Sequence, residues 1–550
     1  MIPSGICLDL ETTITLKIPD HIRSPGYKRY ETRIIEIGAV LWQTPEIRYQ
    51  ALVNPICTSA SIGTSKELFQ HLSSIHQHPT RTLNFWSKVL VKRRSLTRAM
   101  LGESPEVWLA RQVDSRAKTF VRWHNRPETG PAFVTEKEVN KALNSNLCRC
   151  TGYKKITKSC LTAAEALRNN ENLDLSKYSG KVGESLPKYD SMRLAVGEAP
   201  YVADLKFDGM VHGALKFSEH PRAKVLKIST SKAEKMDGVL RVFTAEDIPA
   251  ERFTGLIIPD WPLMVREGET TRYLGDILAG VVAETEKQAR EALDLVDVEY
   301  EILTPVTDPS EALSDQSPKI HESGNLLSTT EIQRGDSKKA KKESEYITNG
   351  TYKTQRIEHA FMELECCVAK PQEDRIEVFS QGQGVYEDRS SISKILGIPL
   401  ENVVVSLMPN GGAFGGKEDI SVQGHASLFA HLLQLPVRVA LTRPESLLMH
   451  PKRHPMSMDI SMGCDKNGKL TFIKADIIGD TGAYASVGMK VLERAAGHAT
   501  SVYTIPSVEI LSRAVYTNNV PCGAMRGFGV NQINFAVESC IDELCELGGF

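Results

Sequence analysis

The chain opens with three short apolar runs separated by polar loops: ICLDLE (6–11), RIIEIGAVL (33–41) and YQALVNP (49–55). Their β-branched content and near-alternation predict three strands. Beyond Pro55 the period blurs, with helical spacing near 65–75 and 84–112. Thr135 and Glu138 have capping-box spacing and predict a helix from there to about Asn144. A second helix is expected over 157–169, and the polar stretch 173–190 reads as a linker. Residues 191–305 read as an αβ region, in which Thr285 and Gln288 open a helix leading into the strand LVDVEYEIL. Residues 306–345, polar and poor in aromatics, are expected to form a second linker running over the surface. From 346 onward strand and helix patterns alternate. SSISKILG is a helix that Gly397 stops, NVVVSL a buried strand, and GGAFGGKED a glycine loop entering an apolar helix that ends near Gln434. There is no internal repeat. The pattern predicts a multidomain chain of mixed α/β and α+β class.

Composition narrows this little. The chain is 41% hydrophobic and 24% charged with a net charge of −2. No apolar run reaches bilayer length, and the opening MIPSGICLDLETT has neither a basic segment nor an apolar one of the kind export signals need. Eleven scattered cysteines do not form a secreted disulfide framework, so a reducing, cytoplasmic setting is expected. Charge is uneven: residues 1–130 hold 18 Lys and Arg against 11 Asp and Glu. The block VKRRSLTRAM invites phosphate, but such runs are mostly solvated faces, and nucleic-acid binding is not expected.

Chemistry concentrates in glycine-bearing stretches. Gly411 to Lys417 has the GxxxxGK spacing of a phosphate loop, but Glu418 stands where a hydroxyl would hold Mg²⁺ and would repel a triphosphate. What remains is either a tight strand-to-helix turn or a loop whose backbone N–H groups approach an anionic or oxo-bearing cofactor. In NNVPCGAMRGFGVNQ, Arg526 and Phe528 alternate with glycines. The guanidinium suits an oxo or phosphate group, and the ring can stack on a flat ligand. Gln383, among glycines at the end of an expected strand, offers an amide. Each taken alone is more often an ion-pair partner or a backbone support.

In order and spacing, FSQGQGVYED, GGAFGGKED, GDTGAYASVGMKVLERAAGH and PCGAMRGFG resemble the molybdenum-binding subunit of the xanthine dehydrogenase/aldehyde oxidase family. The likeness is nearest to bacterial xanthine dehydrogenases described as selenium-dependent. AVGEAPYVADLKFDGMVHGALKFSEHPRAKV and TRYLGDILAGVVAETEKQAREALDLVDVEYE resemble its a/b hammerhead domain. TEKEVNKALNSNLCRCTGYKKI resembles the end of its helical [2Fe–2S] domain. The resemblance covers roughly 131–550. It implies the C-terminal part of the [2Fe–2S] domain at 131–172, the hammerhead at 191–305 and the first half of the molybdopterin-binding domain at 346–550. It implies a molybdopterin cofactor, in a dinucleotide form, approached by Gln383, Arg526 and the backbone of Gly412, Phe414 and Gly415. It further implies that Glu418 and Arg494 orient the substrate while Phe528 stacks on it. Aldehyde-oxidising relatives usually carry apolar residues at the first two places, so a purine or similar heteroaromatic is expected.

Two departures shape the expectation. The family's general base is a glutamate in the second half of the molybdenum region, beyond the CELGGF at which this sequence stops. A second polypeptide carrying that half, with other redox subunits, would be needed. A [2Fe–2S] cluster needs four thiolates, and Cys148 and Cys150 supply two; the nearest upstream cysteine is Cys57, so the cluster is expected to be incomplete. Residues 1–95 instead resemble a truncated, RNase H-like DnaQ-type 3′–5′ exonuclease, in which Asp9 and Glu11 would help bind Mg²⁺ or Mn²⁺. Residues 96–130 form an unassigned junction. Three readings stay open: a molybdenum hydroxylase piece, a metal-dependent exonuclease, and a non-catalytic or chimeric fragment.

Overall fold

The computed structural model describes residues 135–144, 152–169, 180–184, 188–195 and 198–550, together with backbone pieces at 13–14, 32–33 and 146–147. Asp9, Glu11, Cys148 and Cys150 lie outside the described residues, as do the expected N-terminal strands beyond those pieces. The chain divides into two units, Met1–Pro200 and Tyr201–Phe550.

In the first unit, helix α1 (Glu136–Leu143) begins with the expected capping box. The Glu138 N–H donates to Thr135 Oγ1 at 3.3 Å, and the Thr135 N–H donates to Glu138 Oε2 at 3.0 Å. Helix α2 (Lys154–Asn169) starts three residues earlier than its apolar periodicity suggests. Thr157 donates to Asn140 Oδ1 at 2.8 Å, tying the two helices together.

The second unit contains two large sheets. Its strands of four residues or more, in chain order, are β1 (Val211–Phe217), β2 (Ala223–Ser229), β3 (Val239–Phe243), β4 (Ile277–Ala283), β5 (Asp297–Ile302), β6 (Leu326–Arg334), β7 (Tyr346–Lys353), β8 (Cys366–Gln372), β9 (Arg375–Ser380), β10 (Val403–Leu407), β11 (Val437–Ala440), β12 (Met456–Cys464), β13 (Leu470–Gly482) and β14 (Ser507–Tyr516). One sheet has the order β10-β9-β8-β11-β1-β4-β3, and the other β6-β14-β13-β12-β7. Strands β2 and β5 pair as a separate ribbon.

Helix α3 (Glu286–Leu293) is capped by Thr285 as expected, and α4 (Val385–Leu396) stops at Gly397, whose φ is +66°. Helix α5 (Gln423–Leu433) is buried from Gln423 through Ala430, which accounts for its lack of a polar face. It lies on the seven-stranded sheet where Gly213 and Gly280 leave room. A Cβ on Gly280 would sit 2.1 Å from the Phe429 ring, and that ring stacks on Phe243 at 4.6 Å. Helices α6 (Arg443–Met449), α7 (Gly488–Gly497) and α8 (Val530–Gly548) follow, and α7 and α8 cover the five-stranded sheet.

Two features depart from the sequence expectation. The supposed linker 306–345 supplies β6, an edge strand running antiparallel to β14 from Leu326↔Val515 to Arg334↔Val508. Its run LLSTTEIQR is polar because an edge strand is half solvated, so it lacks the clear apolar alternation of an inner strand. The regions 191–305 and 346–550 are also not separate layers. β11 pairs in parallel with β1 through Val437↔Val211 and Val439↔Gly213, so one sheet crosses the boundary between them. Among the described residues no helix is long and apolar enough to cross a membrane.

Candidate active site

Three loops at strand ends build a cradle. The first, 408–419, leaves β10 and enters α5. Gly412, Phe414 and Gly415 have φ of +97°, +55° and +101°. The positive φ at Phe414 costs about 1–2 kcal/mol for a residue with a Cβ. A Cβ on Gly415 would meet Ala524 O at 2.7 Å, so glycine is required there by close approach as well as by conformation. The second loop, 521–529, leads into α8, and Gly527, Phe528 and Gly529 again have positive φ. The Arg526 N–H donates to Phe414 O at 2.8 Å, joining the two loops. The third carries Gln383. Its N–H donates to Lys417 O at 2.8 Å, and its Oε1 accepts from the Gly415 N–H at 3.0 Å and the Lys417 N–H at 3.4 Å. The amide oxygen is thereby committed, and the amide NH₂ meets no protein acceptor among the described residues.

Arg526 and Arg494 are exposed, and the Arg494 guanidinium lies 5.9 Å from the centre of the Phe528 ring. This is cation–π range. Glu418 is half-buried, and burial followed by the nearby Glu387 raises its carboxyl pKa. Among the described residues no ion pair joins Glu418 to Arg494. Next to Glu418, Asp419 is buried and accepts from Ser486 Oγ at 2.7 Å; burial pushes its pKa up to about 7. Gln383 is thus linked to Gly415, and Arg526 to the neighbouring Phe414, by one hydrogen bond each, and Arg494 and Phe528 form a second group.

Lys417 faces the other way. Its ammonium is buried against Glu363 Oε2 at 3.3 Å, bonds to Gln381 Oε1, and sits 4.6 Å from the Phe361 ring centre. Glu363 also accepts from the Gly411 N–H at 2.7 Å. This gives a second reason why the loop is no phosphate loop: its lysine is spent on an internal carboxylate. Behind it, His450 lies between two carboxylates: its Nε2 is 2.8 Å from Glu358 Oε1, its Nδ1 hydrogen-bonds the Ser446 carbonyl and lies 3.2 Å from Glu365 Oε1, and the Lys452 ammonium is 2.6 Å from Glu358. Burial lowers the pKa of His450, but its two carboxylate partners outweigh that and raise it overall. Glu358, His359 and His450 bring three ligand-type atoms within 4.8 Å of one another. Lys452 already supplies that cluster's cation. The sequence reading missed these residues, because Glu358 and His450 are separated by 92 positions and only the paired runs EHAFMELE and MHPKRHP hint at them.

Residues 320–549 match the model of the molybdopterin cofactor-binding domain, and 196–304 that of the a/b hammerhead domain of aldehyde oxidase and xanthine dehydrogenase. The nicotinate dehydrogenase large molybdopterin subunit of Eubacterium barkeri is 35% identical over 369 residues, which span 67% of this chain and 86% of that subunit. The chain belongs to the xanthine dehydrogenase/aldehyde oxidase family of molybdenum hydroxylases. Another relative, a probable xanthine dehydrogenase subunit from Bacillus subtilis (strain 168), is 38% identical over 66% of this chain and 48% of its own length. The aldehyde oxidoreductase of Desulfovibrio gigas superposes with a TM-score of 0.72 at 26% identity, over 79% of this chain and 50% of that one. The chain therefore spans about half the length of several of its relatives. Its cradle fits the family's molybdenum cofactor. The two glycine loops meet with no room for side chains at Gly415, and an amide and an exposed guanidinium border them.

Proposed function

We propose that this chain is the molybdopterin-binding part of a hydroxylase acting on a purine or similar heteroaromatic, working with a second polypeptide that brings the general base. The Arg494–Phe528 pair beside the cradle carries the reading, since a cation next to a stacking ring suits a flat heterocycle with polar edges. The amide NH₂ of Gln383, the backbone N–H of Phe414 and the guanidinium of Arg526 would hold the cofactor, in a dinucleotide form, with Gly412 and Gly415 allowing its approach. When bound, it supplies the oxidising centre for hydroxylation of an electron-poor carbon. Glu418, half-buried at the end of the first loop, would hydrogen-bond one edge of the ring, while Arg494 offsets negative charge on the opposite edge. Phe528 would stack on the ring.

The second polypeptide is supported by the Eubacterium barkeri relative, a large molybdopterin subunit 86% of which is spanned by the match. Electrons would leave through iron–sulfur clusters on partner subunits, because Cys148 and Cys150 supply two of the four thiolates a cluster needs. The test is elemental analysis of the chain expressed with cofactor biosynthesis intact, followed by assay of the reconstituted complex. Near-stoichiometric molybdenum, with xanthine or a related heterocycle oxidised faster than simple aldehydes, is the expected result. A preference for aldehydes overturns the substrate class, and absence of molybdenum overturns the cofactor role.

A further inference from the structure

The buried ions behind the cradle have no part in the function proposed above. Two carboxylates, Glu358 and Glu365, face the Lys452 ammonium and His450, whose Nε2 meets Glu358 and whose Nδ1 meets the Ser446 carbonyl; with both ring nitrogens donating, His450 is the second cation and the set is balanced. Residues within or bordering this set hold the second cradle loop at four places. The Lys452 N–H donates to Pro521 O at 2.9 Å, and the Gly523 N–H donates to Lys452 O at 3.0 Å. His359 Nε2 lies 2.8 Å from Ala524 O, and the Arg453 Nη2 donates to Arg526 O at 2.8 Å. A carbonyl only accepts, so His359 must carry its proton on Nε2. Its ring lies 5.5 Å from that of His450 and is wholly buried, and its Nδ1 has no hydrogen-bond partner among the described residues. A second proton on His359 would add a third cation to a set already in balance. Burial and the neighbouring cations agree with this, leaving its pKa at about 4.

We propose that His359 and Arg453 are positioning residues that fix the Arg526 peptide of the cradle, with the Glu358–His450–Glu365–Lys452 cluster as their rigid bed. The proposal rests on the reading of Arg526 as a cofactor contact. The Arg526 side chain is exposed, so the part of the residue that the protein holds is its peptide. Its N–H is fixed to Phe414 O and its carbonyl to Arg453 at 2.8 Å and Asn531 at 3.2 Å, while the carbonyl two residues earlier is fixed to His359.

Amide hydrogen exchange on the cofactor-free chain tests the clamp without depending on catalysis. In His359→Leu and Arg453→Met, amides 522–528 should exchange about tenfold faster, as expected for one lost hydrogen bond, while β12 and β13 keep their protection. Molybdenum content after expression with cofactor biosynthesis should fall at least about fivefold in the same variants. His359→Gln and Arg453→Lys, which keep a donor, should recover much of both. Wild-type exchange in the loop of both loss variants overturns the proposal. So does protection lost across both sheets and unrescued by Gln or Lys, which would mean the residues only support the fold. If the loop loosens as expected but the wild-type chain takes up no molybdenum, the clamp stands and the cofactor reading falls.

Discussion

Lys417 and Arg526 are both basic residues set among glycines in loops at strand ends, yet they end in opposite places. The first loop turns its cation inward onto Glu363, Gln381 and Phe361, whereas the second leaves its guanidinium exposed. The difference does not come from the loops' own texture. It comes from an acid 54 positions upstream of Lys417, which reaches only one of them. A cation among glycines is available to a ligand only where the rest of the fold leaves it without a buried counter-charge.

Removing that acid breaks the contrast most severely. Glu363→Ala leaves the Lys417 ammonium buried without its carboxylate and frees the Gly411 N–H, and should cost about 3–5 kcal/mol in denaturant unfolding. Arg526→Ala should leave stability within about 0.5 kcal/mol, as for an exposed side chain, while molybdenum content falls. An Arg526→Ala variant as unstable as Glu363→Ala would erase the distinction between the loops. Glu418→Ala, on the outward side of the first loop, should lower kcat/KM for the heteroaromatic about 100-fold, or about 2.7 kcal/mol, with molybdenum content unchanged. Gly415→Ala must push Ala524 O aside and adopt an unfavourable φ, so it should cost about 1–3 kcal/mol and loosen both loops together.

A further expected effect concerns pH. Burial raises Asp388 and Asp419 to about 7, so the folded chain keeps their protons where the unfolded chain has lost them. Each therefore loses stability as pH rises from about 4 to about 7, by at most about 1.4 kcal/mol per unit. Asp388→Asn should gain stability over the wild type at pH 7, with the gain shrinking as pH falls toward 4 in parallel melts. A gain that grows on acidification would reverse the assigned direction.

Much of the cradle was legible in the sequence because its parts are local. Its glycines that must accept positive φ are written where they act, as are, elsewhere in the fold, the cap at Thr285 and the stop at Gly397. The bed beneath was not legible, since Glu358 and His450 meet only after β8 to β11 have been laid down. Strand β6 was hidden for a different reason: an edge strand with one wet face shows no strong apolar period.

The parallel pairing of β11 with β1 has a bearing on how this protein can be handled and inherited. A polypeptide starting near residue 320, where the molybdopterin-binding match begins, would present β11 with one side of its ladder unpaired and Val437 and Val439 uncovered. Such an edge recruits any available strand, including that of an identical molecule. The two recognisable segments should therefore resist being shuffled independently, and recombination between residues 305 and 320 should yield aggregates more often than exchangeable modules.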